Sequence, residues 1–433
     1  MKHESIELLS RYLKIDTANP PGNEARGVDF FTEILDREEI SYKIYEPSPG
    51  RCSLRAVIPG TGEKGPVILL NHIDVVPAKA DQWSSNPFGG EVKNGYIHGR
   101  GALDMKGQGI MEFMAFLEIW RKRLRPVRDI IFLAVADEET DGTCGVRHLM
   151  EKHPDDFNAD LVLNEGGYLT NELLPNRQVF MVSTAEKGAC WLRLKISGPP
   201  GHGSLPHGNN ALEKLIQGLN RLLLRERTPV ITNIVAEFFK RIGEESEGLK
   251  PYISDDKPET LIQCLSEMGW IRKQHIAAMI TNTISVNVLN AGMKTNIIPD
   301  QAEAELDIRL LPGQDPDEFV NEIARTINDK NIKISFIEKG FANNSPINKE
   351  VFSIIEKVMI ENYPDAIVVP SLDFGNSDSR FFRENGIVAY GVNPSLLSSD
   401  DLKMFHGNNE KISEENMIKG TKVYSLIVKA LCL

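Results

Sequence analysis

Apolar and polar positions change their period along the 433-residue chain. In "MKHESIELLSRYLKI", Ile6, Leu9 and Leu13 recur at helical spacing and predict a short amphipathic helix. From Glu24 to about Gly166, helical patterns alternate with short apolar runs. Helices are expected at 24–38, 106–122 and 145–152. Strands are expected at 41–46, 52–58 and 66–71, and in "DIIFLAVA" and "DLVLNEG". The apolar runs lack period-two alternation, so both faces of each strand must be covered. Interleaved with helices, they predict a largely parallel sheet between helical layers.

After about residue 186 the texture changes. "CWLRLKISG", "TISVNVLNAG", "AEAELDIRLL" and "IKISFIEK" alternate like strands with one buried face, and "NALEKLIQGLNRLLL" and 315–328 read as helices. Strand, helix, strand, strand, helix, strand describes a small α+β, ferredoxin-like layer. Residues 225–282 add helical, charge-rich sequence within it. Buried-strand and helix patterns return in "VFSIIEKVMIENY", "GIVAYGV" and "MIKGTKVYSLIVKALCL". The expected class is α/β, with a mostly parallel-sheet domain built from 1–185 and 341–433 and covered by helices on both faces. An α+β domain at 186–340 interrupts it, and a chain this long accommodates two cores.

Composition narrows the partners. A net charge of −12, with no Lys/Arg-rich face to relieve it, argues against nucleic acid and anionic membrane surfaces. No apolar run approaches a membrane span, and the N-terminus lacks the apolar core of a signal peptide. Five scattered cysteines without a C-x-x-C pair fit a reduced compartment, so the expected location is cytoplasmic.

One expected strand, "LLNHIDVVP", carries His72 and Asp74 on the same face, where burial is costly without partners. A core ion pair would account for that pair taken alone. Four more polar clusters sit where the α/β reading places strand carboxyl ends, the usual ligand edge of an open parallel sheet. Asp104 lies in "GRGALDMKG", Asp137, Glu138 and Glu139 in "AVADEET", Glu165 in "LVLNEGG", and His406 in "MFHGNNE" before the last helix. Singly, such residues cap helices and shape turns. Together, two imidazoles and several carboxylates form the donor set favoured by zinc, cobalt or manganese. Two adjacent metals need a bridging carboxylate, and water activation calls for a carboxylate that is not a ligand; Glu138 and Glu139 could divide such duties.

"HIDVVP", "GRGALDMKG", "ADEE", "NEGG", "GHGS", "TNIIPD", "DIRLLPG", "GNSDSR" and "FHGNNE" resemble, in order and spacing, the motifs of the M20 metallopeptidase family of carboxypeptidases, aminoacylases and deacylases. The resemblance implies a catalytic domain carrying two divalent metal ions, zinc first with cobalt or manganese as alternatives. His72 and Glu165 would hold the first metal, Glu139 and His406 the second, with Asp104 between them. Glu138 would be the general base and Asp74 the acid that orients His72. The inserted domain would be a lid and dimerisation domain, giving a homodimer. Its His202 would polarise the scissile carbonyl, and Asn296 and Arg309 would bind substrate, the arginine through its planar fork. Asn376 and Ser377 of "GNSDSR" are also expected at the substrate.

The expected reaction is hydrolysis of the amide bond of a peptide or N-acyl amino acid with a free carboxylate. A catalytically silent metal-binding relative is the alternative from another class, and dipeptidase or aminopeptidase-like specificity the alternative among enzymes. Two departures from the family pattern stand out. Asn71 occupies a position where many relatives have glycine, and "GNSDSR" replaces the commoner "GGTDSR".

Overall fold

A computed structural model describes residues 3–140, 142–174, 176–244 and 273–433, with the backbone alone at 273–276. The middle of the charge-rich stretch expected to be helical at 225–282 lies outside the described residues. Of its flanks, Asn233–Glu244 and Lys273–Ile280 are helices. The chain divides into two compact units, one of Met1–Thr184, Ser345–Ser371 and Ser377–Leu433, the other of Ala185–Asn344 and Leu372–Asn376.

The first unit has the α/β architecture expected of its apolar runs. Strands Ile130–Val135, Val67–His72, Leu161–Asn164 and Val388–Gly391 lie side by side and parallel. Arg51–Ile58 and Tyr42–Ser48 extend one edge antiparallel, and Arg177–Glu186 continues the other. All six residues of Val67–His72 are buried, because the strand is covered on both faces. Val67 and Leu69 join a core with Phe31, Phe113 and Phe132 beneath the helices Ala25–Arg37 and Lys106–Arg121. Ile68 and Leu70 join a second core with Val146, Leu149, Phe381 and Phe382 from the helices Val146–Lys152 and Ser379–Glu384.

The pattern missed Tyr168–Leu174, Ala366–Asp373 and the three-stranded sheet of Lys411–Ser413, Tyr96–His98 and Glu91–Lys93. Strands of three residues are too short to show a period.

In the second unit Thr283–Ala291, Gln301–Leu310, Gly188–Ser197 and Lys333–Lys339 form an antiparallel sheet in that order, the ferredoxin-like arrangement. Helices Ala211–Leu223 and Pro316–Ile327 pack on one face, filling a core with Leu192, Leu194, Leu306 and Ile308. The alternation of buried and more exposed positions along Gln301–Leu310 is the one-sided pattern of the sequence made physical. No helix among the described residues is long and apolar enough to cross a membrane.

Candidate metal centre

Parallel pairing brings the candidate residues together. Val67–His72 lies between Ile130–Val135 and Leu161–Asn164, so three strands release their carboxyl ends along one edge. His72 closes the first strand, the turn holding Glu138 and Glu139 follows the second, and Glu165 follows the third. Gly167, next but one to Glu165, has φ +65, and a Cβ there would meet the Met181 carbonyl at 2.1 Å, so the chain turns away where only glycine fits. Asp104 precedes the helix Lys106–Arg121, and the Asp104–Met105 peptide is cis. His406 enters from the loop before Lys411–Ser413, at φ +56, a conformation unfavourable for a residue with a Cβ.

These side chains converge. Asp104 presents Oδ1 to His72 Nε2 at 3.1 Å and Oδ2 to His406 Nε2 at 3.0 Å, one oxygen to each ring. Glu139 Oε2 stands 3.2 Å from His406 Nε2, and Glu165 Oε2 stands 3.8 Å from His72 Nε2. Donor atoms of His72, Glu138 and Glu165 lie within 4.8 Å of one another, as do those of His72, Asp104 and Glu139. His72 is buried, whereas the His406 side chain is 58% exposed and forms the open rim.

The tautomer of His72 follows from its surroundings. Nδ1 lies 2.9 Å from the Asp74 carbonyl oxygen, so the ring donates there; in the neutral ring this leaves the lone pair on Nε2, where a cation would replace the proton that a charged ring shares with Asp104. The Asp74 carboxylate, expected to orient this ring, faces Nδ1 across a longer distance. Asp74 Oδ1 is 3.7 Å from Nδ1, beyond hydrogen-bond reach. The carboxylate instead accepts the backbone N–H groups of Glu138 (3.2 Å) and Glu139 (3.1 Å) and the Asn19 amide (2.8 Å). It therefore positions the turn that carries both glutamates.

Asp137, at φ +71, supports the same turn from below. It accepts hydrogen bonds from Thr140 Oγ1, the Cys144 N–H and Arg51 Nη2. Asn71 points away from the cluster, because neighbouring strand residues face opposite sides. Its amide donates to Glu112 at 3.1 Å, within the core under the sheet.

The remaining expected site residues divide. Ser377 is buried; its hydroxyl accepts from Asn164 Nδ2 at 3.2 Å and from the Ser379 N–H at 3.2 Å. It supports the residue before Glu165. Asn376 has a buried Oδ1 without a hydrogen-bond partner. In the second unit, Arg309 directs Nε and Nη2 to Asp307 at 2.7 and 3.2 Å and lies 5.3 Å from the Trp191 ring, so part of its fork is already engaged. His202 is exposed on the two-residue strand Gly201–His202, paired with Ile297–Ile298. The Ser204 N–H donates to its Nδ1 at 3.2 Å, which puts the proton of the neutral ring on Nε2. Asn296 is exposed beside it, its carbonyl accepting the Gly203 N–H at 2.9 Å.

The electrostatics state what the first-unit cluster demands. Burial pushes the Glu165 carboxyl up to about 7. Burial also raises Glu138, with Glu165 adding repulsion, and raises Glu139, with Asp104 adding repulsion. Burial opposes ionisation of Asp104 too, but hydrogen bonds from His406 and His72 outweigh it and hold that carboxyl below the usual range. His406, facing Asp104 and Glu139, is pushed up to about 11. Burial works to lower His72, yet Glu165 and Asp104 hold it well above the ordinary imidazole value.

Every member of the cluster therefore calls for positive charge. Imidazole and carboxylate donors packed this closely suit divalent cations, which would take the place of the ring protons. Arg100, Asp137, Asn164 and Glu410 were given no role in the sequence reading. The available signal was their position inside or beside the quoted motifs.

Residues 68–430 match the model of the peptidase family M20/M25/M40. Among relatives, "Probable carboxypeptidase S-like 2" of Dictyostelium discoideum is 27% identical over 375 residues, covering 84% of this chain and 71% of its own. The "N-fatty-acyl-amino acid synthase/hydrolase PM20D1" of Xenopus tropicalis is 28% identical over 369 residues, covering 81% and 69%. The fold matches the M20 family metallo-carboxypeptidase Sso-CP2 from Sulfolobus solfataricus with TM-score 0.76 at 22% identity, over 99% of both chains. The chain belongs to the peptidase family M20/M25/M40 and is a metal-dependent hydrolase of amide bonds.

Proposed function

We propose that the protein binds two divalent cations, zinc foremost with cobalt or manganese as alternatives, and hydrolyses the amide bond of a peptide or N-acyl amino acid bearing a free carboxylate. The observation that carries this reading is the meeting of His72, Asp104, Glu138, Glu139, Glu165 and His406 at one sheet edge. His72 and Glu165 would hold one cation, His406 and Glu139 the other, and Asp104 both. Bound there, the cations would polarise the scissile carbonyl and make water acidic enough to attack at neutral pH. Glu139 is tied down by the Val76 N–H at 3.2 Å as well as by His406, which suits a ligand. Glu138 would take the proton of the attacking water and deliver it to the leaving amine. His202, with its proton on Nε2, would donate to the developing oxyanion.

The substrate class draws on the names of relatives, one carboxypeptidase S-like and one acting on N-fatty-acyl amino acids. Arg309 supports a carboxylate at the leaving amino acid: with Nε and Nη2 held by Asp307, it offers a guanidinium fixed in place. Purified zinc-loaded protein should cleave N-acyl amino acids or dipeptides as free acids and act poorly on their C-terminal amides. In Arg309→Lys, KM for the acid should rise about 10–100-fold, the worth of a charged hydrogen-bond pair, with the amide little changed. Equal losses on acid and amide would assign the arginine to the sheet alone. Turnover restricted to substrates with a free amine and blocked carboxylate would favour the aminopeptidase-like alternative.

We also propose a homodimer formed through the second unit. Thr283–Ala291 is an edge strand of its sheet, and it exposes Val288 and Leu289. Sedimentation of wild-type protein as a monomer at micromolar concentration would exclude it. A cytoplasmic location accords with Cys52, Cys144, Cys190 and Cys432, which are free thiols among the described residues.

A further inference from the structure

We infer that Arg100 and Glu410 form a positioning clamp that sets the spacing of Asp104 and His406, and with it the affinity of the cation those two would share; this rests on the two-cation reading above. Both residues are buried, at 2% and 0% exposure, away from any solvent that would screen or replace their charges. Glu410 Oε2 accepts from Arg100 Nη1 at 2.7 Å and from the Gly101 N–H at 2.9 Å. Its Oε1 accepts from the Leu103 N–H at 2.7 Å and from the N–H of Asp104 itself at 3.1 Å. One carboxylate therefore holds the backbone of the whole loop that ends in Asp104.

Arg100 holds the other loop. Its Nη2 donates to the Gly407 carbonyl at 2.8 Å and to the His406 carbonyl at 3.4 Å. The Gly99 N–H donates to the Glu410 carbonyl at 3.0 Å, continuing the antiparallel pairing of Lys411 with His98. The two loops lie some three hundred residues apart in sequence, yet each is gripped by a residue of the other.

Such a pair is not an economical way to stabilise a core, since burying both charges costs several kcal/mol per ion before their attraction returns it. Its geometry suits another purpose. The His406 side chain is 58% exposed and its backbone sits at φ +56, so packing of the ring does little to place it. The grip of Arg100 on the carbonyls of 406 and 407 supplies that placement. Glu410 does the same for Asp104, whose Oδ2 lies 3.0 Å from His406 Nε2. Groups behind metal ligands commonly govern affinity by 10–100-fold.

The test is cation affinity, read by calorimetric titration of the metal-free chain with zinc in a competing chelator. Arg100→Lys keeps the charge beside Glu410 but cannot also reach the carbonyls of 406 and 407. Glu410→Gln loses the capacity to accept four N–H groups. Wild type should take up two cations. In Arg100→Lys, which frees the loop of His406, the first should bind within about twofold of wild type and the second about 10–100-fold more weakly; in Glu410→Gln, which frees the Asp104 loop that both cations would share, both should weaken.

Both variants should remain folded without metal, with Glu410→Gln unfolding at the lower temperature because it leaves the buried Arg100 charge unpaired. Uptake of a single cation by wild type would refute the two-cation reading, whatever the variants do. Two unaltered affinities in folded variants, or equal loss of both cations in Arg100→Lys, would overturn the clamp while leaving that reading intact. If neither variant folds, the pair serves the fold and the inference also fails.

Discussion

Glu138→Ala should lower turnover by about 10²–10⁴-fold while the protein keeps its full complement of cations, because general acid–base assistance is typically of that size. Glu138 and Glu139 are sequence neighbours on one turn, and both backbone N–H groups are held by Asp74. Their side chains diverge. Glu139 reaches His406 and the Val76 N–H, whereas Glu138 comes within 4.8 Å of His72 and Glu165. Burial and the nearby Glu165 keep its carboxyl raised, which makes its carboxylate form the stronger base. Glu139→Ala, by contrast, should release a cation. Metal content by plasma emission, measured alongside kcat, separates the two. Loss of metal from Glu138→Ala with full occupancy in Glu139→Ala would reverse their roles.

Asp104→Ala should be the most damaging single change, taking cation content below one per chain and turnover down by about 10³-fold or more. Asp104 offers one carboxylate oxygen to each imidazole, so both of the proposed cation positions would lose an anionic donor at once. Removing Lewis-acid assistance is worth several kcal/mol of barrier, and each 1.36 kcal/mol is tenfold in rate. Chelation of the wild-type protein should produce the same loss, and added zinc should reverse it. Zinc should not rescue the variant. Rescue of Asp104→Ala by excess metal, or two retained cations, would show that the carboxylate is dispensable for binding.

Much of the fold was legible before any coordinates. Fully apolar runs such as 67–70 and 130–135 could be satisfied only by strands covered on both faces, and interleaved helices leave a parallel sheet as the economical solution. Given that sheet, His72, Glu138, Glu139 and Glu165 had to emerge at neighbouring carboxyl ends, because strands that pair in parallel also end together. Short strands and the partners of polar side chains were not legible. A three-residue strand shows no period, and a hydrogen bond between distant residues leaves no mark on local spacing.

The division between sequence and tertiary structure is sharpest at Asp74, Ser377 and Glu410. Local pattern determined that His72 and Asp74 share a strand face, since alternation is a property of the backbone. It did not determine that the Asp74 carboxylate would turn to the N–H groups of residues 138 and 139, with the imidazole left to the backbone carbonyl. Ser377 was drawn to Asn164 and Glu410 to the Asp104 loop. Each of those choices was made by whichever donors and acceptors the packed chain brought within about 3 Å, where an unpaired buried polar group is costly. Periodicity therefore decided which residues stand at the edge of the sheet, and three-dimensional hydrogen-bond satisfaction decided what each of them holds.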